Sequence, residues 1–434
     1  MLLNNPLHQH PQRAALHNEI HARPPEAMHA PLAISQVVMM CDAAQRDASR
    51  THLAALLRDR HLPQPDAAST HLRMDVGAFR IRWELHTEFV SWTFTQPIPL
   101  DTDQHEPRSA LHAVPQDWLL ALPGECLAAM HVWALPASAP SAKALHQRML
   151  HEDTLIGASV ADGMACVYTD LSIHADGFSR MLVLTDALAP RRLGQLVQRL
   201  LEIETYRMAA LLGLPAAREA TSVLAFAERE LAELAESIRS ATPNDEPQLL
   251  NRLTKLAGQV ESQHAATHAR FSASAAYFEL VDKRIDDIAE VRLAGLQTLR
   301  EFMDRRLSPA RSTCAWATRR QDALSQRVSR ISNLLRTRVE IEQQLGSQAL
   351  LEAMNRRQGL QLKMQSAVEG LSVAAITYYV VGLIAYLAKG AQALGWPLSS
   401  ETTAAAAIPA VVLAVWWSIR KLHLRIAGQH GAID

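Results

Sequence analysis

Hydrophobic and polar positions follow two periods along this chain, and the period changes once. Before about residue 187 the short period dominates. Phe79, Ile81, Trp83 and Leu85 alternate with Arg80, Arg82 and Glu84, the period of two expected of a half-buried strand. Residues 89–95 follow as its hairpin partner. Residues 34–41 form an apolar run bounded by Pro31 and Asp42 and predict a strand, as do residues 126–135. Residues 44–60 carry Leu53, Leu56 and Leu57 at helical spacing. Residues 155–161 and 164–173 flank Asp162-Gly163, which supplies the positive φ angles of a tight type I′ turn. Asp176-Gly177 repeats the device before residues 178–184, so a three-stranded meander is expected. Asp162, Asp170 and Asp176 are read as turn and hairpin residues rather than as a catalytic carboxylate set.

After Pro190 the strand signals stop and helical periodicity takes over. Leu193, Leu196, Val197, Leu200, Leu201 and Ile203 open a helix, and residues 221–240 predict another. Residues 244–306 contain no strong break and predict one long helix. Pro309 stands where a helix can begin, since a first-turn proline loses no needed N–H bond. Leu324, Val328, Ile331, Leu335 and Val339 then step by three or four, a coiled-coil-like seam. Gly346, Gly359 and Gly370 weaken this run. Two outcomes are open: one helix of roughly 120 Å over 309–388 at 1.5 Å per residue, or two helices broken near Gly346.

Two stretches then lack charge altogether, residues 370–388 and 402–419. Each spans roughly 27–28 Å as a helix, close to the hydrocarbon thickness of a bilayer. Tyr378, Tyr379 and Tyr386 in the first, and Trp416 and Trp417 at the end of the second, suit the membrane interface. Arg356, Arg357 and Lys363 precede the first span; Arg420, Lys421 and Arg425 follow the second. Between them only Lys389 is basic. The bias of basic residues toward the inside predicts a multi-pass protein of the inner (plasma) membrane, with both termini cytoplasmic and a short external connection. Ser372, Thr377, Tyr378 and Tyr379 give the first span some polar surface.

Composition supports a folded chain. Of 434 residues 48% are apolar and 20% charged, with a net charge of −1. Charge is segregated: residues 201–290 hold 15 acids and 9 bases, residues 305–363 hold 12 bases and 4 acids. The basic stretch is expected either to be held by an acidic helical neighbour or to be attracted to anionic lipid headgroups. With Trp316 alone among those arginines as a stacking aromatic, no nucleic-acid partner is expected. Cys41, Cys126, Cys166 and Cys314 are too far apart for a zinc ribbon or a disulfide scaffold. The first residues, Met-Leu-Leu-Asn-Asn-Pro, show no signal peptide.

The most distinctive string is His17-Asn18-Glu19-Ile20-His21-Ala22-Arg23-Pro24-Pro25-Glu26. His17 and His21 share a helix face at a common metal-ligand spacing. A zincin needs its glutamate directly after the first histidine, and Glu19 is one position later; Pro24 and Pro25 also cut the helix short. Three readings stand: a proline-locked segment hydrogen-bonded across its domain, a binding surface of His17, Glu19, His21 and Arg23, or a metal site on His17 and His21. Among 19 histidines, the spacings His8/His10 and His264/His268 arise by chance. No phosphate-binding, dinucleotide-binding or nucleophile-elbow motif occurs, so no reaction is specified and no cofactor is expected.

That string, the stretch from Arg270-Phe271-Ser272-Ala273-Ser274-Ala275-Ala276-Tyr277-Phe278 to Ile285, the helical half and the closing membrane hairpin resemble a bacterial family of uncharacterised membrane-anchored proteins, classed as a domain of unknown function. The resemblance covers nearly the whole chain and implies anchoring without an activity. The order of elements also resembles the CorA-type magnesium channels, which are pentamers with a pore-lining first span. Their Gly-Met-Asn signature is absent; the stretch here is Tyr386-Leu387-Ala388-Lys389-Gly390-Ala391, with a cation-repelling lysine. The expected architecture is α+β: a cytoplasmic α/β domain (1–187), a helical stalk region (188–367), a two-helix transmembrane hairpin (368–420) and a cytoplasmic tail (421–434). The expected protein is non-enzymatic and homo-oligomeric, with the lipid bilayer as partner. A CorA-like channel and a membrane-tethered metal enzyme are the alternatives.

Overall fold

A computed structural model describes residues 10–13, 16–17, 24–99, 106–139, 142–392 and 397–430, and the side chains of all these except 142–144 and 422–430. The chain divides into one unit of residues 1–241 and 247–332 and a second of 242–246 and 333–434.

The first unit is α+β. It is built on a mixed nine-stranded sheet in the order β2-β3-β4-β1-β5-β8-β7-β6-β9. Its strands are β1 (Leu32–Met40), β2 (His71–Asp75), β3 (Arg80–Leu85), β4 (Phe89–Pro97), β5 (Glu125–Leu135), β6 (Ile156–Val160), β7 (Ala165–Thr169), β8 (Ser179–Leu184) and β9 (Val291–Arg292). The predicted hairpin β3–β4 is present, with Trp83 opposite Trp92. So is the meander β6–β7–β8. At the Asp162-Gly163 turn, φ is 61° and 83°, and Met164 N–H closes on the Ala161 carbonyl at 3.3 Å. A parallel pairing of β5 with β8 joins the meander to the N-terminal strands.

β1 is buried along almost its whole length because both faces of the sheet are covered. On one face Val37, Ile81, Trp83, Trp92, Phe94 and Trp133 pack with Leu53 and Leu57 of α1 (Ala43–Arg58). Asp42 starts α1 through a reciprocal capping box with Gln45. Two short helices, α2 (Gln116–Leu120) and α3 (Ala142–Met149), flank this region. The other face meets α4 (Pro190–Leu211), the helix that Leu193 to Ile203 predict, which begins on Pro190 and packs on β5. Gly194 of α4 passes so close to residue 26 that a Cβ there would lie 1.6 Å from the Glu26 carbonyl oxygen. The Pro24-Pro25-Glu26 end of the distinctive string is therefore clamped between helix and sheet. Glu26 is salt-bridged to Arg80 at 3.0 Å, and Arg73 donates to the Pro24 carbonyl at 2.7 Å.

α5 (Gly213–Ser240) and α6 (Glu246–Asp287) follow. The expected single helix over 244–306 is corrected here. α6 ends at Asp287, Ala289 and Gly295 take φ of 49° and 81°, and β9 pairs antiparallel with β6 before α7 (Leu299–Arg306) begins. The break is held chemically. Thr298 caps α7 in a reciprocal pair with Glu301, and Glu290 accepts from Leu299 N–H at 3.0 Å and Arg300 N–H at 2.8 Å.

α8 (Ser308–Gln392) is one unbroken helix of 85 residues through Gly346, Gly359 and Gly370. The predicted seam is buried at Leu324, Val328 and Leu335 and half-buried at Ile331 and Val339. Within the first unit, acidic residues hold its basic face. Arg320 forms a two-pronged pair with Glu228 of α5 at 2.7 and 2.5 Å, and Arg311 meets Asp282 of α6 at 2.7 Å. The second unit holds the remainder of α8 and α9 (Ser400–His430). Among its described residues from Ile341 onward many large apolar side chains face outward, Leu345, Leu351, Tyr378, Leu387 and Trp417 among them. α8 and residues 400–421 of α9 are long and apolar enough to cross a membrane, with mean hydropathies of 1.9 and 1.7 in their most apolar windows.

Candidate functional site

Two polar constellations lie in the first unit, and the sequence reading singled out neither. The first is a cavity of about 210 Å³ between the sheet and helices α4 and α6. Under β5 and β8 the covered face of the sheet is apolar, through Met130, Val132, Met181 and Val183. Toward β3 it turns polar, through Gln36, Arg82, Glu84, Ser91 and Thr93. Burying polar groups is costly unless they are paired. Arg82 bridges Glu84 at 2.7 Å, Thr205 of α4 donates to Gln36 at 3.1 Å, and Arg284 of α6 pairs with Glu202. Tyr206, which lines the cavity, stacks on Tyr277, whose hydroxyl donates to Glu88 at 3.0 Å. Burial, and then the negative charge of Glu88, raise the Tyr277 phenol above its ordinary range, so it remains a donor.

The second constellation surrounds the loop between β7 and β8. Asp170 leaves β7 with a fully buried carboxylate, and its Oδ2 lies 3.1 Å from His151 Nδ1 and 2.9 Å from His174 Nε2. The two imidazoles stack at 4.6 Å with planes 4° apart. His174 is mostly covered, while His151 is 60% exposed and opens the group to solvent. Beside it His131 of β5 stacks on Phe178 at 4.1 Å and shares a 2.7 Å hydrogen bond with Ser35. Asp176 stands 4.0 Å from His131 and pairs with Arg180 at 3.2 Å. Burial pushes the His131 imidazole down to about 4.

Residues 8–426 match the family described as Protein of unknown function (DUF3422). The chain belongs to the DUF3422 family. No curated protein matches it, and no solved structure does. The likeness to CorA-type channels therefore rests on the order of elements alone.

Of the predicted site residues in this family member, Glu19, His21 and Arg23 lie outside the described residues. His17 is exposed on a short helical stretch. In the first apolar stretch Ser372 donates back to the Val368 carbonyl at 2.8 Å, so its hydroxyl is satisfied within the helix. Tyr378 and Tyr379 meet edge to face at 5.8 Å. Asp170, read from sequence as a turn and hairpin residue, does accept from Ser172 N–H at 3.1 Å, and it also gathers two histidines. The local clue was an aspartate four residues before a histidine. The second histidine comes from 19 positions upstream, where no spacing rule would find it.

Proposed function

We propose that this chain is a membrane-anchored protein whose apolar stretches 370–388 and 402–419 cross the bilayer as a hairpin, presenting the α+β unit to the cytoplasm. On this reading the α+β unit is a non-enzymatic binding and assembly module. Copies of the chain associate through the part of α8 before the membrane, where Leu345, Leu351, Met354 and Leu362 are exposed.

One observation carries the reading: the most apolar windows of α8 and α9 are only 6% and 0% buried within the chain. Removing a large aliphatic side chain from water is worth roughly 1.5–3 kcal/mol. Leu371, Leu383, Leu387 and Leu413 are each more than 60% exposed. Hydrocarbon is the cover that suits the apolar sides of both helices at once. Arg420 over Trp416 at 5.0 Å and Lys421 over Trp417 at 4.8 Å add cation–aromatic pairs of the kind that sit at the headgroup level.

Cysteine labelling tests the topology. The native cysteines Cys41, Cys126, Cys166 and Cys314 all lie on the proposed cytoplasmic side. In intact cells an impermeant maleimide is expected to leave the parent chain unlabelled and to label Ser399→Cys. Permeabilisation is expected to expose Cys126. Labelling of the parent in intact cells, with none at Ser399→Cys, overturns the orientation.

A further inference from the structure

We propose that His151, Asp170 and His174 form a binding site for a divalent transition-metal ion of the zinc class. Their donor atoms, Nδ1, Oδ2 and Nε2, lie within 4.8 Å of one another. Ligands held about 2.05 Å from a tetrahedral zinc stand about 3.3 Å apart. The carboxylate oxygen is 3.1 and 2.9 Å from the two nitrogens, near that spacing, and a turn of the stacked imidazole rings toward a common point brings both lone pairs onto one ion.

The backbone positions all three ligands before any ion arrives. Leu171 adopts φ 51° directly after Asp170, and its N–H is bound by the Thr169 hydroxyl at 3.1 Å. Asp170 is tied by Ser172 N–H to one oxygen and by His151 N–H, at 2.9 Å, to the other. His174 is pinned from both sides: its N–H reaches the Phe178 carbonyl at 3.0 Å, and its carbonyl accepts from Gly177 N–H at 2.9 Å.

Charge gives an independent reason. Asp170 has a side chain with no solvent exposure, and its ion-pair partners among the described residues are the two histidines, with no lysine or arginine between them. A buried carboxylate needs a compensating charge. A divalent cation supplies it and leaves both imidazoles neutral, each offering a lone pair. Two imidazole donors out of three favour zinc-like metals over magnesium or calcium, which take oxygen ligands. The exposed side of His151 leaves the remaining coordination positions to water or to an exogenous ligand, the arrangement of an open site rather than a closed structural one.

The test uses the full chain, purified in detergent without a polyhistidine tag and stripped with a chelator. Zinc is titrated by calorimetry and by competition with a metallochromic dye, and the bound metal is counted by elemental analysis. The parent is expected to hold one equivalent that His151→Ala, His174→Ala and Asp170→Asn each lose. His151 is exposed, so His151→Ala keeps the fold, which near-ultraviolet circular dichroism verifies; His264→Ala is expected to retain the equivalent. A parent that binds no stoichiometric zinc overturns the proposal. So does an equivalent that survives undiminished in His151→Ala and His174→Ala, because the metal is then held elsewhere.

Discussion

The two units treat apolar side chains in opposite ways. In the first, Trp83, Trp92, Phe94 and Ile81 are wholly enclosed by their own chain. In the second, side chains just as apolar stand on two helices with their most apolar stretches almost bare. The contrast lies in geometry rather than composition. A sheet covered on both faces can enclose a core, and one strand of period two marks which face each residue takes. A helix of membrane length with little polar surface has no narrow inward stripe, and on the proposed reading an apolar solvent covers it. α8 passes from one regime to the other: Leu324 and Val328 are buried, while Leu345 and Leu351 are exposed.

Trp83→Ala breaks the comparison most severely. Trp83 is fully buried, and its indole N–H donates to Ser49 at 3.3 Å. Emptying such a position costs about 3–5 kcal/mol. Thermal unfolding followed by near-ultraviolet circular dichroism is expected to show loss or a large downshift of the transition, with membrane retention unchanged. Leu383→Ala, in the second unit, is expected to leave that transition where it is.

The change of regime along α8 gives the next test. Leu324→Ala is expected to cost about 2–4 kcal/mol, the range for an aliphatic residue lost from a core. Leu351→Ala is expected to leave the unfolding midpoint unchanged and to weaken self-association, read as mass in detergent. Equal stability losses at both positions would show that this stretch of α8 is not divided as described.

Acid sharpens the contrast through His131. Its folded value of about 4 lies below the 6.5 of a free imidazole, because burial disfavours the charged form against the pull of Asp176. The unfolded chain therefore binds the proton more readily. Stability is complete above about pH 6.5 and declines as the pH falls toward 4. Between pH 6.5 and 5 the loss is about 2 kcal/mol. His131→Gln is expected to flatten that slope in denaturant titrations.

Arg320→Gln is the mildest change. Its pair with Glu228 is partly exposed, at 21% and 30%, so solvent screens it and the loss is expected to be about 1 kcal/mol or less. The same denaturant titrations read it.

Legibility in the sequence followed the same division. Trp83 and Ile81 announced their strand by alternation, Asp162-Gly163 its turn, and the two uncharged runs their helices, because each signal lies within a few neighbouring residues. β9 is two residues long and carries no alternation to read. β2 is short and only half-buried on its inner positions. The break after Asp287 rests on Thr298, Glu301 and Glu290 acting together rather than on a proline. The parallel pairing of β5 with β8 and the gathering of His151, Asp170 and His174 depend on how distant strands associate, which local periodicity does not encode.

The central claim is that bilayer lipid covers what the chain leaves bare in the second unit. Extraction of cell membranes with alkaline carbonate tests it most directly, comparing the full chain with one ending before Glu369. The full chain is expected to stay in the membrane pellet, while the shortened chain leaves in the supernatant and melts cooperatively. Release of the full chain by carbonate would contradict the account.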